Sequence, residues 1–161
     1  MTDLESWWSS AQEMCQLYNL HSPFSPEDFC AAYNTVERYP IILQPMGEGR
    51  HVSGVCYFKN GTFYIFHSTA GSRLLQDRTI WHEIGHVVLG HVGPENPGVR
   101  MKHDVVMTTV QENEAEDFAA IMTVYATLRG HLRAALPSPR TQARSGQTSF
   151  EQVVNGLLRG E

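Results

Sequence analysis

The chain has 161 residues, of which 42% are hydrophobic and 18% are charged, and its net charge is −5. This composition excludes an intrinsically disordered chain and is typical of a globular protein that folds without disulfide bonds. The negative charge disfavours direct binding to nucleic acid. Three cysteines that cannot all pair, none in a CxxC spacing, favour a reducing compartment and argue against a cysteine-rich metal site.

The first ten residues, MTDLESWWSS, carry acidic rather than basic side chains and no apolar segment. This pattern is not that of a signal peptide. No window of the sequence approaches the ~18 consecutive apolar residues that span a bilayer. We therefore expect a soluble, cytoplasmic protein with no membrane partner.

Two helices are predicted near the N-terminus. Residues 2–5 form a capping-box pattern, and apolar side chains recur at helical spacing from Leu4 to Tyr18. Ser25 followed by Pro26 is typical of an N-cap with proline at the first helical position. This pair predicts a second, shorter helix that ends at about Val36.

The middle of the chain predicts strands. Ile41 to Leu43 is a short apolar run, and the runs 52–58 and 62–66 flank Asn60-Gly61. Asn-Gly between two such runs is the strongest short-range signal for a two-residue β-hairpin. We expect a small, mainly antiparallel sheet of about three strands.

Two further helices follow the hairpin. Residues 70–72, Ala-Gly-Ser, interrupt the chain before a helical pattern that ends near Gly90. A capping-box pattern at Thr109–Glu112 then opens a long helix to about Ala135. The predicted fold is α+β, with the small sheet packed against helices.

The chain is predicted to hold one domain. Residues 1–136 are predicted to form a single folded domain, and residues 137–161 a mobile basic linker followed by a short amphipathic helix. Five arginines lie within residues 129–161, against the two acids Glu151 and Glu161. A basic segment of this kind is more often solvated than bound to a partner.

The segment with clear chemistry is His82-Glu83-Ile84-Gly85-His86. Two histidines at positions i and i+4 of a helix lie one turn apart on the same face, so both imidazoles can reach one ion. Zinc accepts such nitrogen ligands and keeps one position open in catalytic sites. Glu83 projects about 100° away around the helix, beside the metal, where it can activate the attacking water.

A catalytic zinc site needs a third protein ligand. A metzincin would have glycine at position 89 and histidine at position 92, but the chain has Leu89 and Val92. A closed structural site would use nearby cysteines, which this segment lacks. A carboxylate from a second helix remains. The candidates lie in the first turns of the long helix: Glu112, Glu114, Glu116 and Asp117.

Two motifs together carry a family resemblance. Residues 62–91, which include the HExxH segment, and residues 114–120, Glu-Ala-Glu-Asp-Phe-Ala-Ala, resemble the ImmA/IrrE family of zinc metallopeptidases. The resemblance covers about residues 50–120. It implies that Glu114 is the third zinc ligand and that residues 1–136 form a metallopeptidase domain. Glu112, which would point to a different face of the helix, is the alternative ligand. The resemblance also implies a zinc endopeptidase that cleaves helix-turn-helix repressors of phages, mobile elements or stress regulons.

Other polar residues are weaker candidates. Asp117 is a candidate for orienting a zinc-bound histidine. Four residues are candidates for stabilising a developing oxyanion, although a structural role is favoured for each: Arg78, His91, His103 and Tyr125. A non-enzymatic alternative also stands, in which a zinc-containing regulatory or toxin-like protein binds a partner without cutting it. Glu83 discriminates between the two, because a purely structural zinc site has no use for a general base.

Overall fold

The computed structural model of the chain describes residues 4–47, 52–97 and 107–135, the last range with side chains as far as Thr127. The C-terminal linker and helix predicted for residues 137–161 lie outside the described residues. The elements in chain order are α1 (Leu4–Leu17), α2 (Pro26–Val36), β1 (Ile41–Met46), β2 (Gly54–Lys59), β3 (Thr62–Ser68), α3 (Arg73–Val88) and α4 (Thr109–Ala135).

The two N-terminal helices follow the prediction. Helix α2 begins after Ser25, whose side chain accepts a hydrogen bond from the backbone N–H of Asp28, while the Asp28 carboxylate accepts from the backbone N–H of Ser25. This reciprocal pair satisfies two N–H groups at the start of the helix. Helix α1 buries Ala11 and Cys15 in the core, as its apolar stripe predicts.

The sheet has three strands, as predicted, in the order β1-β3-β2. Asn60 and Gly61 both have positive φ, 50° and 74°, the conformation that a type I′ hairpin turn requires. Strands β2 and β3 are antiparallel, whereas β1 pairs with β3 in parallel. The sheet is therefore mixed rather than mainly antiparallel, because β1 and β2 add to opposite edges of β3 in opposite directions.

Helices α3 and α4 pack against each other through Gly85. A Cβ at Gly85 would lie 3.3 Å from the Cα of Ala115 and 3.1 Å from the Phe118 ring. A side chain at position 85 would require the two helices to separate by a few tenths of an ångström, so glycine permits this close approach. Helix α3 also contacts β2 and β3, so the HExxH segment lies between the sheet and α4.

The core joins all these elements. Its largest fully buried side chains include Trp81 of α3, Phe29 of α2, Ile65 of β3 and Tyr125 of α4. All three cysteines are free thiols and are buried. No helix in the described part of the chain has the length and apolarity needed to cross a membrane. The four helices and the small sheet of the described ranges confirm the predicted α+β class.

Candidate metal centre

The two histidines of the motif face each other across one turn of α3. Ser72 caps the helix by accepting a hydrogen bond from the backbone N–H of Leu75, and the helix continues to Val88. Because His82 and His86 are four residues apart on this helix, their side chains share a face. Their Nε2 atoms lie 3.2 Å apart.

Glu112 of α4 completes a three-residue group with His82 and His86, which we call the metal group. Its Oε2 lies 3.2 Å from Nε2 of His82, and its Oε1 lies 3.6 Å from Nε2 of His86. Within the described ranges, this is the group whose ligand atoms lie close enough together, all within 4.8 Å, to hold a metal ion. Two helices that the sequence separates by 20 residues therefore meet at one potential metal site.

The start of α4 leaves Glu112 available for this role. The predicted capping box at Thr109–Glu112 is one residue out of register. Thr108 and Gln111 form it instead: the Thr108 hydroxyl accepts from the Gln111 backbone N–H, and the Gln111 side chain accepts from the Thr108 backbone N–H. Since Gln111 caps the helix, the Glu112 carboxylate is free to face the histidines.

The geometry of the group fits a tetrahedral zinc ion. Zinc binds imidazole and carboxylate ligands at about 2.0–2.1 Å, which places neighbouring ligand atoms about 3.3 Å apart. The two Nε2 atoms are 3.2 Å apart, close to this spacing. The two oxygens of Glu112 lie 3.2 Å from His82 and 3.6 Å from His86, so one of them can take a third corner. The fourth corner remains for water or substrate.

His86 is held in the protonation state that binds metal. Its side chain is almost fully buried. Burial, together with the positive charge that His82 and His91 can carry, lowers the pKa of His86 to about 4. The imidazole is therefore neutral at neutral pH, and a neutral ring nitrogen is the form that coordinates a cation.

Glu83 is buried beside the metal group and lines the same cavity. Burial, reinforced by the negative charge of Glu112, raises the pKa of Glu83 to about 8. In the metal-free protein Glu83 therefore keeps its proton to about pH 8, whereas a cation bound beside it would favour the ionised carboxylate that acts as a base. Gly54, at the start of β2, contacts this side chain: a Cβ at Gly54 would lie 2.7 Å from Oε1 of Glu83.

Glu116 lies behind His82, on the side away from the metal group. Its Oε2 is 3.3 Å from Nδ1 of His82, and its Oε1 accepts a hydrogen bond from Arg78. Burial opposes ionisation of Glu116, but the bond from Arg78 lowers its pKa below the ordinary value. A carboxylate on Nδ1 fixes the ring and leaves Nε2 to the metal, a common arrangement around zinc-bound histidine.

The carboxylate beside the histidines is Glu112, whereas the family resemblance implied Glu114. The structure places Oε2 of Glu114 3.0 Å from Nε2 of His91, outside the group of His82, His86 and Glu112. The physical reason is helical rotation. Glu114 projects about 200° away from Glu112 around α4, whereas Glu116 projects only about 40° away.

The remaining candidates take different positions. Asp117 is exposed. Glu116, rather than Asp117, is the carboxylate that contacts Nδ1 of His82. Tyr125 is buried in the core with its ring 5.0 Å from that of Trp8, which fits the structural role. Arg78 lines the cavity, and His91 is buried against His86. His103 lies outside the described residues.

An open cavity of about 680 Å³ surrounds the metal group. Its walls are β2 and the turn before it (residues 52–56), the exposed face of α3 with Leu75, Arg78 and Thr79, and Met107 before α4. Glu83, His82, His86, Glu112 and Glu116 all line it. The cavity is large enough to admit several residues of an extended peptide.

Sequence reasoning named Glu112, Glu116 and His91 as candidates but gave neither Glu116 nor His91 a contact with a histidine of the motif, and it did not name Gly54. Glu112 and Glu116 are spaced i, i+4, so a single helical face carries both carboxylates. That spacing favours Glu112 over Glu114 if both a ligand and an orienting group are required. The contacts of Gly54 and His91 with the site left no such signal, because they depend on how separate elements pack.

The chain was also compared with known proteins. No protein-family model matches it, and no curated protein matches it at a significant level. Conclusions about its chemistry therefore depend on the geometry of the site itself.

Proposed function

We propose that this protein is a zinc-dependent endopeptidase. The observation that carries the proposal is the convergence of His82, His86 and Glu112, whose ligand atoms lie within 4.8 Å of one another, with the buried carboxylate of Glu83 in the same cavity. Three protein ligands, an open position and an adjacent general base are the parts of a hydrolytic zinc site. A structural site would not require Glu83.

Each residue has a separate task in hydrolysis. A zinc ion held by His82, His86 and Glu112 would supply Lewis acidity that polarises the scissile carbonyl and acidifies water. Glu83 accepts a proton from the attacking water and returns it to the leaving amine. Glu116 holds the His82 ring through Nδ1. Burial of Glu83 and His86 excludes bulk water from the two groups whose protonation matters most.

The edge of the sheet supports a peptide as the substrate. In β2, the backbone N–H of Phe58 points away from β3 and donates to the carbonyl of Pro97. Backbone groups alternate along an antiparallel strand, so those of Cys56 and Gly54 also point away from β3. Both residues line the cavity. An extended peptide can pair with this edge and bring its backbone past the metal group.

The substrate class follows from the resemblance to the ImmA/IrrE family. We propose a helix-turn-helix transcriptional repressor as the target, cut within an extended segment. The two motifs that carry this resemblance, the HExxH segment and residues 114–120, both lie within the described part of the chain. Glu112 rather than Glu114 serves as the ligand in the proposed site.

The first experiment distinguishes the proposed ligand Glu112 from its neighbour Glu114. Purified protein should bind one zinc per chain, measured by elemental analysis. Glu112→Gln should lose zinc affinity by about 100-fold or more. The matched variant Glu114→Gln keeps an oxygen that can accept from His91 and should lose less than about tenfold. A well-folded wild type that binds no zinc at micromolar concentration would overturn the proposal.

The general base is tested by Glu83→Gln, which preserves size and most contacts. This variant should keep its zinc and its fold but lose peptide hydrolysis by several orders of magnitude. If Glu83→Gln retains full biological activity, the protein acts by binding a partner rather than by cutting it.

The substrate is tested with helix-turn-helix repressors encoded beside the gene. A single discrete cut is expected with the zinc-loaded protein, and none with chelator or with Glu83→Gln. Intact repressors together with efficient cutting of unrelated unfolded proteins would identify a general peptidase and exclude the regulatory role.

A further inference from the structure

His91 lies directly behind one of the proposed metal ligands. Helix α3 ends at Val88, and Gly90 has a φ of +75°, a left-handed conformation that glycine adopts without strain. This residue reverses the chain direction. The backbone N–H groups of His91 and Val92 both donate to the carbonyl of His86, at 2.9 and 3.2 Å. These bonds at the helix end place the side chain of His91 beside the ring of His86.

The side chains continue this contact into a chain of three groups. Nδ1 of His86 lies 2.9 Å from Nδ1 of His91, and Nε2 of His91 lies 3.0 Å from Oε2 of Glu114. His86 and His91 are only 3% and 6% exposed. Because water has little access to these two rings, the protein must supply their hydrogen-bonding partners.

The protons in this chain can be assigned from the metal site outward. Nε2 of His86 faces His82 and Glu112, so it must be unprotonated to hold a cation. Nδ1 of His86 then carries the proton and donates to Nδ1 of His91. His91 must therefore carry its own proton on Nε2, from which it donates to the carboxylate of Glu114. Every polar atom between the metal site and Glu114 is satisfied in this arrangement.

We propose that His91 and Glu114 are positioning residues that fix the tautomer and orientation of His86 for metal binding. This inference rests on the proposed metal centre. His91 does not itself bind the ion, because it lies on the Nδ1 side of His86 and the metal group lies on the Nε2 side. The two ligand histidines are thus supported differently: His82 contacts the carboxylate of Glu116 directly, whereas His86 reaches that of Glu114 through a second imidazole.

Backbone contacts hold His91 independently of its side chain. Its N–H donates to His86, and its carbonyl accepts a hydrogen bond from the side chain of Asn96 at 2.8 Å. A side-chain substitution at position 91 therefore leaves these anchors in place. This makes position 91 suitable for testing the ring contact alone.

The test compares two substitutions of similar size at position 91. In His91→Asn, the side-chain oxygen stands near the place of Nδ1 and can still accept from His86. In His91→Leu, no acceptor remains. We expect His91→Leu to weaken zinc binding by about 10–100-fold in competition with a chelator. His91→Asn should recover most of that loss. A purely structural role would not produce this rescue by an acceptor.

A second measurement needs no variant. Long-range proton–nitrogen correlation spectra of the zinc-loaded wild type report which ring nitrogens carry protons. We expect protonated Nδ1 in His86 and protonated Nε2 in His91. A proton on Nδ1 of His91 would overturn the inference, even if His91→Leu fails to fold.

The outcomes separate this inference from the proposed function. Wild type that binds no zinc overturns both. Wild type that binds zinc while His91→Leu binds it equally tightly, or while His91→Asn and His91→Leu are equally weakened, overturns only the positioning role. Zinc loss in His91→Leu with rescue in His91→Asn supports both.

Discussion

The carboxylate of Glu83 lies against the backbone of Gly54. A Cβ at position 54 would come within 2.7 Å of Oε1 of Glu83 and within 2.9 Å of Cγ2 of Thr79. No real side-chain carbon tolerates such a separation, so any residue other than glycine must displace Glu83 or move the start of β2. The position of Glu83, the proposed general base, therefore depends on the absence of a side chain at Gly54 in the neighbouring strand.

Gly54→Ala should lower peptide hydrolysis about 100-fold, because a displacement of about 1 Å at a reacting group has an effect of that size. Zinc stoichiometry should remain at one per chain, since none of the proposed ligands contacts Gly54 in the way Glu83 does. Gly47→Ala is the matched control, because a Cβ there meets no atom within 4 Å. Equal activity of the two variants would contradict the role given to Gly54.

The contact of Glu116 with Nδ1 of His82 predicts an effect on metal affinity. Glu116→Ala should weaken zinc binding by about 10–100-fold, since the His82 ring loses the group that orients it. Asp117→Ala removes a neighbouring exposed carboxylate and should change the affinity little. Isothermal titration of both variants with zinc checks this. A similar loss in the two would mean that only the local negative charge matters.

Glu83 should make the metal-free protein less stable as pH rises. Burial raises its pKa from 4.5 to about 8, so the folded state keeps a proton that the unfolded state has already released. Its favourable contribution is complete below about pH 4.5 and is lost as pH rises to about 8. The slope is at most about 1.4 kcal/mol per pH unit.

Glu83→Gln removes this titration. Urea unfolding of both proteins in the presence of chelator should show the variant gaining stability relative to wild type between about pH 5 and pH 8. Other titrating groups contribute nearly equally to both proteins, so the comparison isolates position 83. A difference that does not change with pH would show that Glu83 ionises normally in the fold.

Gly85→Ala tests the packing that brings the two halves of the site together. Alanine is the better helix former, by about 1 kcal/mol. However, its Cβ would lie 3.3 Å from the Cα of Ala115, and backbone cannot yield as a flexible side chain does. We expect a net destabilisation of about 1–3 kcal/mol, with weaker zinc binding as α4 moves away. Increased thermal stability with unchanged zinc affinity would show that the helices adjust freely.

Much of the secondary structure could be predicted from the sequence because its signals are local. Ser25 and Pro26 start a helix through their own hydrogen bonds and ring geometry, and Asn60-Gly61 adopts the positive φ values that a tight hairpin needs. The i, i+4 spacing of His82 and His86 places both rings on one face of any helix that contains them. None of these features depends on a distant part of the chain.

Tertiary structure decided three other features. These are the parallel pairing of β1 with β3, the position of Glu112 beside the histidines, and the contacts of Gly54 and His91. Each depends on the register or rotation of one element relative to another. The close packing of Gly85 against Ala115 sets which face of α4 meets α3, and this rotation brings Glu112 to the histidines. The sequence by itself determined that a pair of imidazoles and a carboxylate would be available. Only the packing of the helices determined which carboxylate lies beside the imidazoles, because neighbouring residues on a helix point about 100° apart.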